Sequence, residues 1–306
     1  MKITKFILFF IGISASLSSA ALGDSFVQQK MDAALQTPTP LTSDQLAKVQ
    51  TVQYIFVDGI FGDILKKNFP QAVEDLDGWN ASDHVIIRPD TANAVSTNAE
   101  ILYGQISKIR AASTHSEAVL TAHSKGSAEV LLMALRHPDV ITQMGIKTIN
   151  LVSGPHEGTN LIEYFNQCFV LDFVCKNLNT LMPSLVSLTP EAMIPADLTA
   201  LKALDSATQQ EVAKHLFYVE TLMADNDLTS PLLLSHFYLN SQGFPQNDGL
   251  IPTANEVFTP NGQLFGTDLG VMKGDHNSLL SEAITDDTKT YRHTFFQVLL
   301  ESTLLK

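Results

Sequence analysis

The chain has 306 residues, 45% of them hydrophobic and 17% charged, with a formal net charge of −13. An acidic chain without a basic run is a poor partner for nucleic acid, and no stretch beyond the first twenty residues reaches the roughly 18 uninterrupted apolar residues of a membrane span. The length fits one large α/β domain carrying an insertion better than two independent domains.

The first twenty residues read as a signal peptide: Lys2 and Lys5 precede the apolar run Phe6 to Ile13, and Ser18, Ser19 and Ala20 offer a small-residue cleavage site. Residues 21–306 are then the exported domain, secreted or periplasmic. In such an oxidising compartment Cys168 and Cys175, the two cysteines of the chain, can close a small disulfide loop; two cysteines alone do not make a structural zinc site.

Asp24 to Lys48 is polar and reads as a lead-in helix and loop. Thr51 to Val57 (TVQYIFV) is rich in β-branched and aromatic residues and predicts the first buried strand. VDGIFG follows, placing Gly59 and Gly62 in a turn at the strand's carboxyl end, where ligands bind in parallel α/β sheets. Ile60 and Phe61 there can line an acyl pocket, or the turn simply returns the chain to the core. His84 to Arg88 predicts the next strand and Val95 to Ala112 a helix.

Glu117 to His137 (EAVLTAHSKGSAEVLLMALRH) combines a strand-length apolar run, a tight turn around Ser124, and apolar residues at helical spacing. A serine between strand and helix, with small residues two positions to either side (Ala122 and Gly126), is a nucleophile elbow. The competing reading makes Ser124 the cap of the following helix. Ile146 to Val152 is a further strand, leading into SGPHEGTN. The alternation of strands and helices predicts a mostly parallel sheet flanked by helices.

Leu161 to Pro231 breaks the rhythm: it reads as helices with no convincing strand, and its many apolar residues suit a helical cap or lid over an apolar site. Ser235 to Leu239 (SHFYL) reads as a strand, followed by Asp248 in QNDGLIP. Leu264 to Met272 is the last predicted strand, with GDHNS after it, and Tyr291 to Leu300 a closing amphipathic helix.

Ser124, Asp248 and His276 therefore stand in the chain order of a Ser–Asp–His hydrolase. A serine hydroxyl needs an imidazole to take its proton, and the imidazole needs a carboxylate to fix its tautomer. Eight other histidines compete with His276, and Asp225, Asp227 and Asp275 compete with Asp248, which as Asp before Gly can also be a turn residue. The oxyanion formed by attack on a carbonyl needs donors, and the backbone amides of Lys125 and Ile60 are placed for that.

VDGIFG, AHSKG, SGPHEGTN, LTALKALDSATQQEVAKH, SHFYLNSQG, NDGLIP and GDHN, in that order, resemble the secreted bacterial triacylglycerol lipases, over roughly Thr51 to Ile284. The resemblance implies an α/β-hydrolase fold with a helical lid insertion at about 161–231. It also implies carboxylic-ester hydrolysis by Ser124, Asp248 and His276, with Ile60 as the oxyanion residue, beneath a helical lid that opens at lipid surfaces onto a lipid or other acyl-ester substrate. A phospholipase or acyltransferase on the same residues, or a secreted binding protein without catalysis, are the alternatives; the need for a folding chaperone stays open. The family's calcium site draws on an aspartate two residues after the catalytic histidine, where this chain has Ser278; Asp227 suits the other carboxylate, and no metal or other cofactor is assigned. Asp58 replaces the family's histidine before the oxyanion-loop glycine, and Ala122 the first glycine of its elbow.

Overall fold

A computed structural model describes residues 25–60, 62, 67–161, 172–225, 227, 229–282 and 285–306, with side chains 172–179 excluded. The expected leader, Phe61 and Cys168 lie outside the described residues, as does the Cys175 side chain, and with them the disulfide.

Six strands form one parallel sheet: β1 (Val52–Val57), β2 (His84–Ile87), β3 (Glu117–His123), β4 (Ile146–Val152), β5 (Leu216–Leu222) and β6 (Thr267–Lys273), in the spatial order β2-β1-β3-β4-β5-β6. The helices are α1 (Phe26–Gln36), α2 (Ser43–Val49), α3 (Pro70–Gly78), α4 (Val95–Ala112), α5 (Lys125–Arg136), α6 (Asp139–Thr142), α7 (Asp172–Ser187), α8 (Pro190–Lys202), α9 (Ser206–His215), α10 (Leu233–Ser241) and α11 (Asp286–Thr303).

Both sheet faces are covered, which is why the central strands are apolar runs rather than alternating ones. In β1, Ile55 and Val57 join the core beneath α4 and α5, with Leu102, Ile106 and Leu131. Tyr54 and Phe56, one residue out of phase, join the opposite core with Leu76 of α3 and Phe295, Phe296 and Leu299 of α11. Phe56 anchors that second layer, its ring 4.9 Å from Phe69 and 5.9 Å from Phe296. Each such fully buried side chain contributes about 1.5–3 kcal/mol.

Two expectations are corrected. Ser235–Leu239 belongs to α10 and not to a strand: its Phe, Tyr and Leu have strand propensity, but the segment is a helix with Ser235, His236 and Leu239 on its buried side. The segment 161–231 does contain a strand, β5, which pairs with both β4 and β6. Glu220, near its end, disguises it as a polar segment, yet Glu220 is only 7% exposed. The helical part is α7 to α9. The junction between α7 and α8 meets the carboxyl edge of the sheet: Thr159 N donates to Leu188 O at 2.8 Å and Val95 N to Ser187 Oγ at 3.0 Å.

Candidate active site

Ser124 sits between β3 and α5 at φ 56°, ψ −132°. A non-glycine residue with positive φ costs about 1–3 kcal/mol and persists only when its surroundings hold it. Here Ser124 N donates to Val152 O (3.0 Å), and the glycines at 126 and 59 are required by contact. A Cβ on Gly126 would lie 2.3 Å from Asp58 O, and one on Gly59 would lie 2.7 Å from Ser124 Cβ. The loop after β1 is thus pressed against the serine.

The Ser124 side chain makes no capping bond to α5. Instead its hydroxyl donates to His276 Nε2 at 2.7 Å, and His276 Nδ1–H donates to Asp248 Oδ2 at 2.5 Å. All three residues are buried. His276 comes from the loop after β6. Asp248 arrives by a longer route, through α10, and is brought to the end of β5 by Met223 N bonding Asn247 O (3.0 Å). Its Oδ1 accepts the amides of Leu250 (2.8 Å) and Ile251 (2.6 Å), so the same bonds that form the turn orient the carboxylate. The rival carboxylates are engaged elsewhere: Asp225 with His236, Asp227 with Thr229, Asp275 with Ser230 and Ser278.

Three supporting groups carried no signal in the sequence. Nε2–H of His123 donates to His276 O (2.9 Å); burial, then the neighbouring His276, lowers its pKa to about 3, so the ring is a neutral donor. Thr221 Oγ1 lies 3.1 Å from Asp248 Oδ2 and 3.3 Å from Glu256 Oε2. Burial, and secondarily the Asp248 charge, pushes the Glu256 carboxyl far above its usual range, so it holds its proton and adds no second negative charge beside Asp248. Lys125, expected to matter only through its backbone, buries its ammonium: Nζ donates to Asn93 O (2.7 Å) and stands 3.2 Å from Glu129, tying α5 to the loop after β2.

As the first residue of α5, Lys125 has an N–H with no carbonyl partner inside the helix. Gly62 N bonds Gly59 O (3.1 Å), closing the turn that holds Ile60. The arrangement offers a serine hydroxyl with a base to take its proton and a loop packed against it, which suits addition to a carbonyl.

The calcium that the resemblance implies does not fit. Asp227 Oδ1 accepts the Thr229 hydroxyl (2.7 Å), and Ser278 Oγ donates to Asp275 Oδ1 (2.8 Å). Arg292 Nε donates to Ser278 O (3.0 Å), so a guanidinium holds the loop after His276. Among the described residues no group of three or more His, Cys, Asp or Glu is placed to hold a metal, and no helix is long and apolar enough to cross a membrane. A surface concavity lined by Gln53, Asp83, Ser113 and His115 lies at the opposite, amino-terminal edge of the sheet, remote from Ser124.

No protein-family model and no curated protein matches the chain by sequence. By structure it is similar to a metagenomic carboxyl esterase, at 16% identity over 87% of this chain and 79% of that one, with a TM-score of 0.61. It is also similar to the lipase BlEst2 of Bacillus licheniformis in its mature form, at 15% identity over 83% and 91% of the two chains, with a TM-score of 0.60. The chain has the α/β-hydrolase fold.

Proposed function

We propose that the protein is an exported serine ester hydrolase of lipase type, cleaving carboxylic esters of lipids through an acyl-enzyme. The observation that carries the reading is the unbroken line from Ser124 Oγ through His276 to Asp248, built on a strained elbow. In the first half-reaction Ser124 Oγ attacks the ester carbonyl and its proton passes to His276 Nε2. The carbonyl oxygen becomes an oxyanion facing the Ile60 and Lys125 amides, and collapse expels the alcohol, which takes the proton from His276. Water, deprotonated by His276, then attacks the acyl-enzyme, and the carboxylic acid leaves as Ser124 regains its proton. Asp248 keeps the imidazole in the required tautomer and stabilises its charged form.

The esterase and the lipase among the structures of similar fold are in keeping with this reaction class. Lipid as substrate rests on the ordered motif set and the apolar segment 161–231. Export rests on the leader-like run at the amino terminus.

Hydrolysis of p-nitrophenyl esters of graded chain length tests the reading. Wild type turns them over, and Ser124→Ala lowers kcat by about 10⁴-fold or more. Preference for long chains, with a rise above the substrate's solubility limit, marks lipase type. A flat response to chain length and solubility contradicts it, and equal activity of the two proteins removes the catalytic assignment altogether.

A further inference from the structure

The residue before the oxyanion-loop glycine is an aspartate, and it is buried within contact of the elbow. Asp58 N bonds Ile87 O (3.0 Å), the last rung between β1 and β2, and Asp58 O is the atom a Cβ on Gly126 would strike. Its main chain is therefore clamped between sheet and elbow. Its side chain turns forward: Oδ1 accepts the amide of Gly59 at 2.8 Å. Gly59 O in turn accepts Gly62 N, and a Cβ on Gly62 would fall 2.2 Å from Asp58 Cγ. The loop is wrapped around this carboxylate.

Gly59 is bonded at both ends, its N–H donating to Asp58 Oδ1 and its carbonyl accepting Gly62 N–H, and that carbonyl shares a peptide plane with the Ile60 N–H. Asp58 thus fixes Gly59, and with it the direction of the peptide that carries the Ile60 amide. Without it, Gly59 N–H would be an unsatisfied buried donor, and the loop could rotate to find it a partner.

The carboxylate is itself held. Asn68 Nδ2 donates to the same Oδ1, Asn68 Oδ1 accepts the Ser281 hydroxyl (2.6 Å), and Ser281 N bonds Asn277 O (3.3 Å), next to His276. Backbone bonds from Phe69 N to Leu280 O (2.7 Å) and Glu282 N to Lys67 O (2.6 Å) stitch the same two segments together. Arg88 Nε stands 3.6 Å from Asp58 Oδ2, an ion-pair distance that offsets a negative charge near a site where another must form. The oxyanion loop and the His276 loop are two ends of one hydrogen-bonded frame.

We infer that Asp58 is a positioning residue that aims the Ile60 amide at the transition-state oxyanion by capturing the amide of Gly59. The inference rests on the proposed ester-hydrolase reading.

Steady-state kinetics on a p-nitrophenyl ester, affinity for a trifluoromethyl ketone, and melting temperature test it together. The ketone adds to Ser124 as a hemiketal whose oxyanion needs the same donors. Asp58→Ala is expected to lower kcat by about 10²-fold, the scale of losing one oxyanion donor, with KM little changed and ketone affinity falling by the same factor. Asp58→Asn, which keeps an oxygen for the Gly59 amide, recovers most of that loss. Asn68→Ala, at a less buried position, lowers kcat by about tenfold with KM intact, and serves if Asp58→Ala does not fold.

The inference is overturned if Asp58→Ala, or Asn68→Ala in its place, keeps kcat and ketone affinity within about threefold of wild type. It is equally overturned if the loss appears in KM, or if Asp58→Asn is as impaired as Asp58→Ala. Ser124→Ala assayed beside them separates the two claims. If it is inactive while Asp58→Ala is normal, only the positioning role falls; if it is as active as wild type, the ester-hydrolase reading falls and the positioning role with it.

Discussion

Asp248→Asn is expected to lower kcat for ester hydrolysis by about 10⁴-fold while leaving the fold intact. The reason is the fixed polarity of its surroundings. Two backbone donors, Leu250 N–H and Ile251 N–H, point at Oδ1. An asparagine must therefore place its amide oxygen there and its NH₂ group where Oδ2 now stands, facing His276 Nδ1. A donor in that position makes Nδ1 the acceptor and moves the ring proton to Nε2, which faces Ser124. The imidazole then cannot take the serine's proton. Thr221 tolerates the change, because its hydroxyl can turn toward Glu256. Kinetics at neutral pH with a melting curve check this; activity within tenfold of wild type would mean that another carboxylate serves His276.

The second large effect concerns stability against pH. Burial, and then the nearby Asp268 charge, pushes the Glu220 pKa up to about 8. Glu129, buried beside Lys125, is pushed up to about 7. In the unfolded chain both ionise near 4.5, so between that pH and the folded value the native state binds more protons. Stability then falls as pH rises through this window, by about 1.4 kcal/mol per pH unit per group, and levels off above it. Asp197 and Glu256, raised well above their ordinary values mainly by burial, act in the same direction. His123 and His156, both lowered to about 3 by burial, act in the opposite sense: their contribution is full above 6.5 and lost as pH falls toward 3. Glu220→Gln isolates one group. Its melting temperature should match wild type near pH 4.5 and exceed it by a margin that grows up to about pH 8 and then stays constant. A margin independent of pH would show that Glu220 ionises normally in the folded protein.

The same glutamate explains where the sequence misleads. LFYVETL is a strand whose buried acid, kept protonated by its surroundings, looks like surface in the sequence, and SHFYL has strand-forming residues but packs as a helix. Tertiary context overrides local propensity in both. Strands β1, β3 and β4 and helices α4 and α5 are readable because both sides of the sheet are covered and their periodicity is clean.

At the site, the chain order of Ser124, Asp248 and His276 is visible because each residue type answers a chemical need and follows a turn signal. The supports are not. His123, Thr221, Glu256 and Asp58 act through bonds spanning up to 153 positions of chain, such as that from His123 to His276, and no local pattern encodes them. Asp58 illustrates the limit well: in the sequence it is a departure from a resembled motif, and in the folded chain it is the acceptor that organises the loop.

Everything proposed for the site depends on Ser124 being a nucleophile activated by His276. The most direct measurement is peptide mapping by mass spectrometry after incubation with a p-nitrophenyl alkylphosphonate, which loses p-nitrophenolate when a serine oxygen displaces it from phosphorus. One phosphonyl adduct is expected, on the peptide carrying Ser124, absent in Ser124→Ala and formed far more slowly in His276→Ala. A native protein that gains no adduct, or gains it on a different residue, would contradict it.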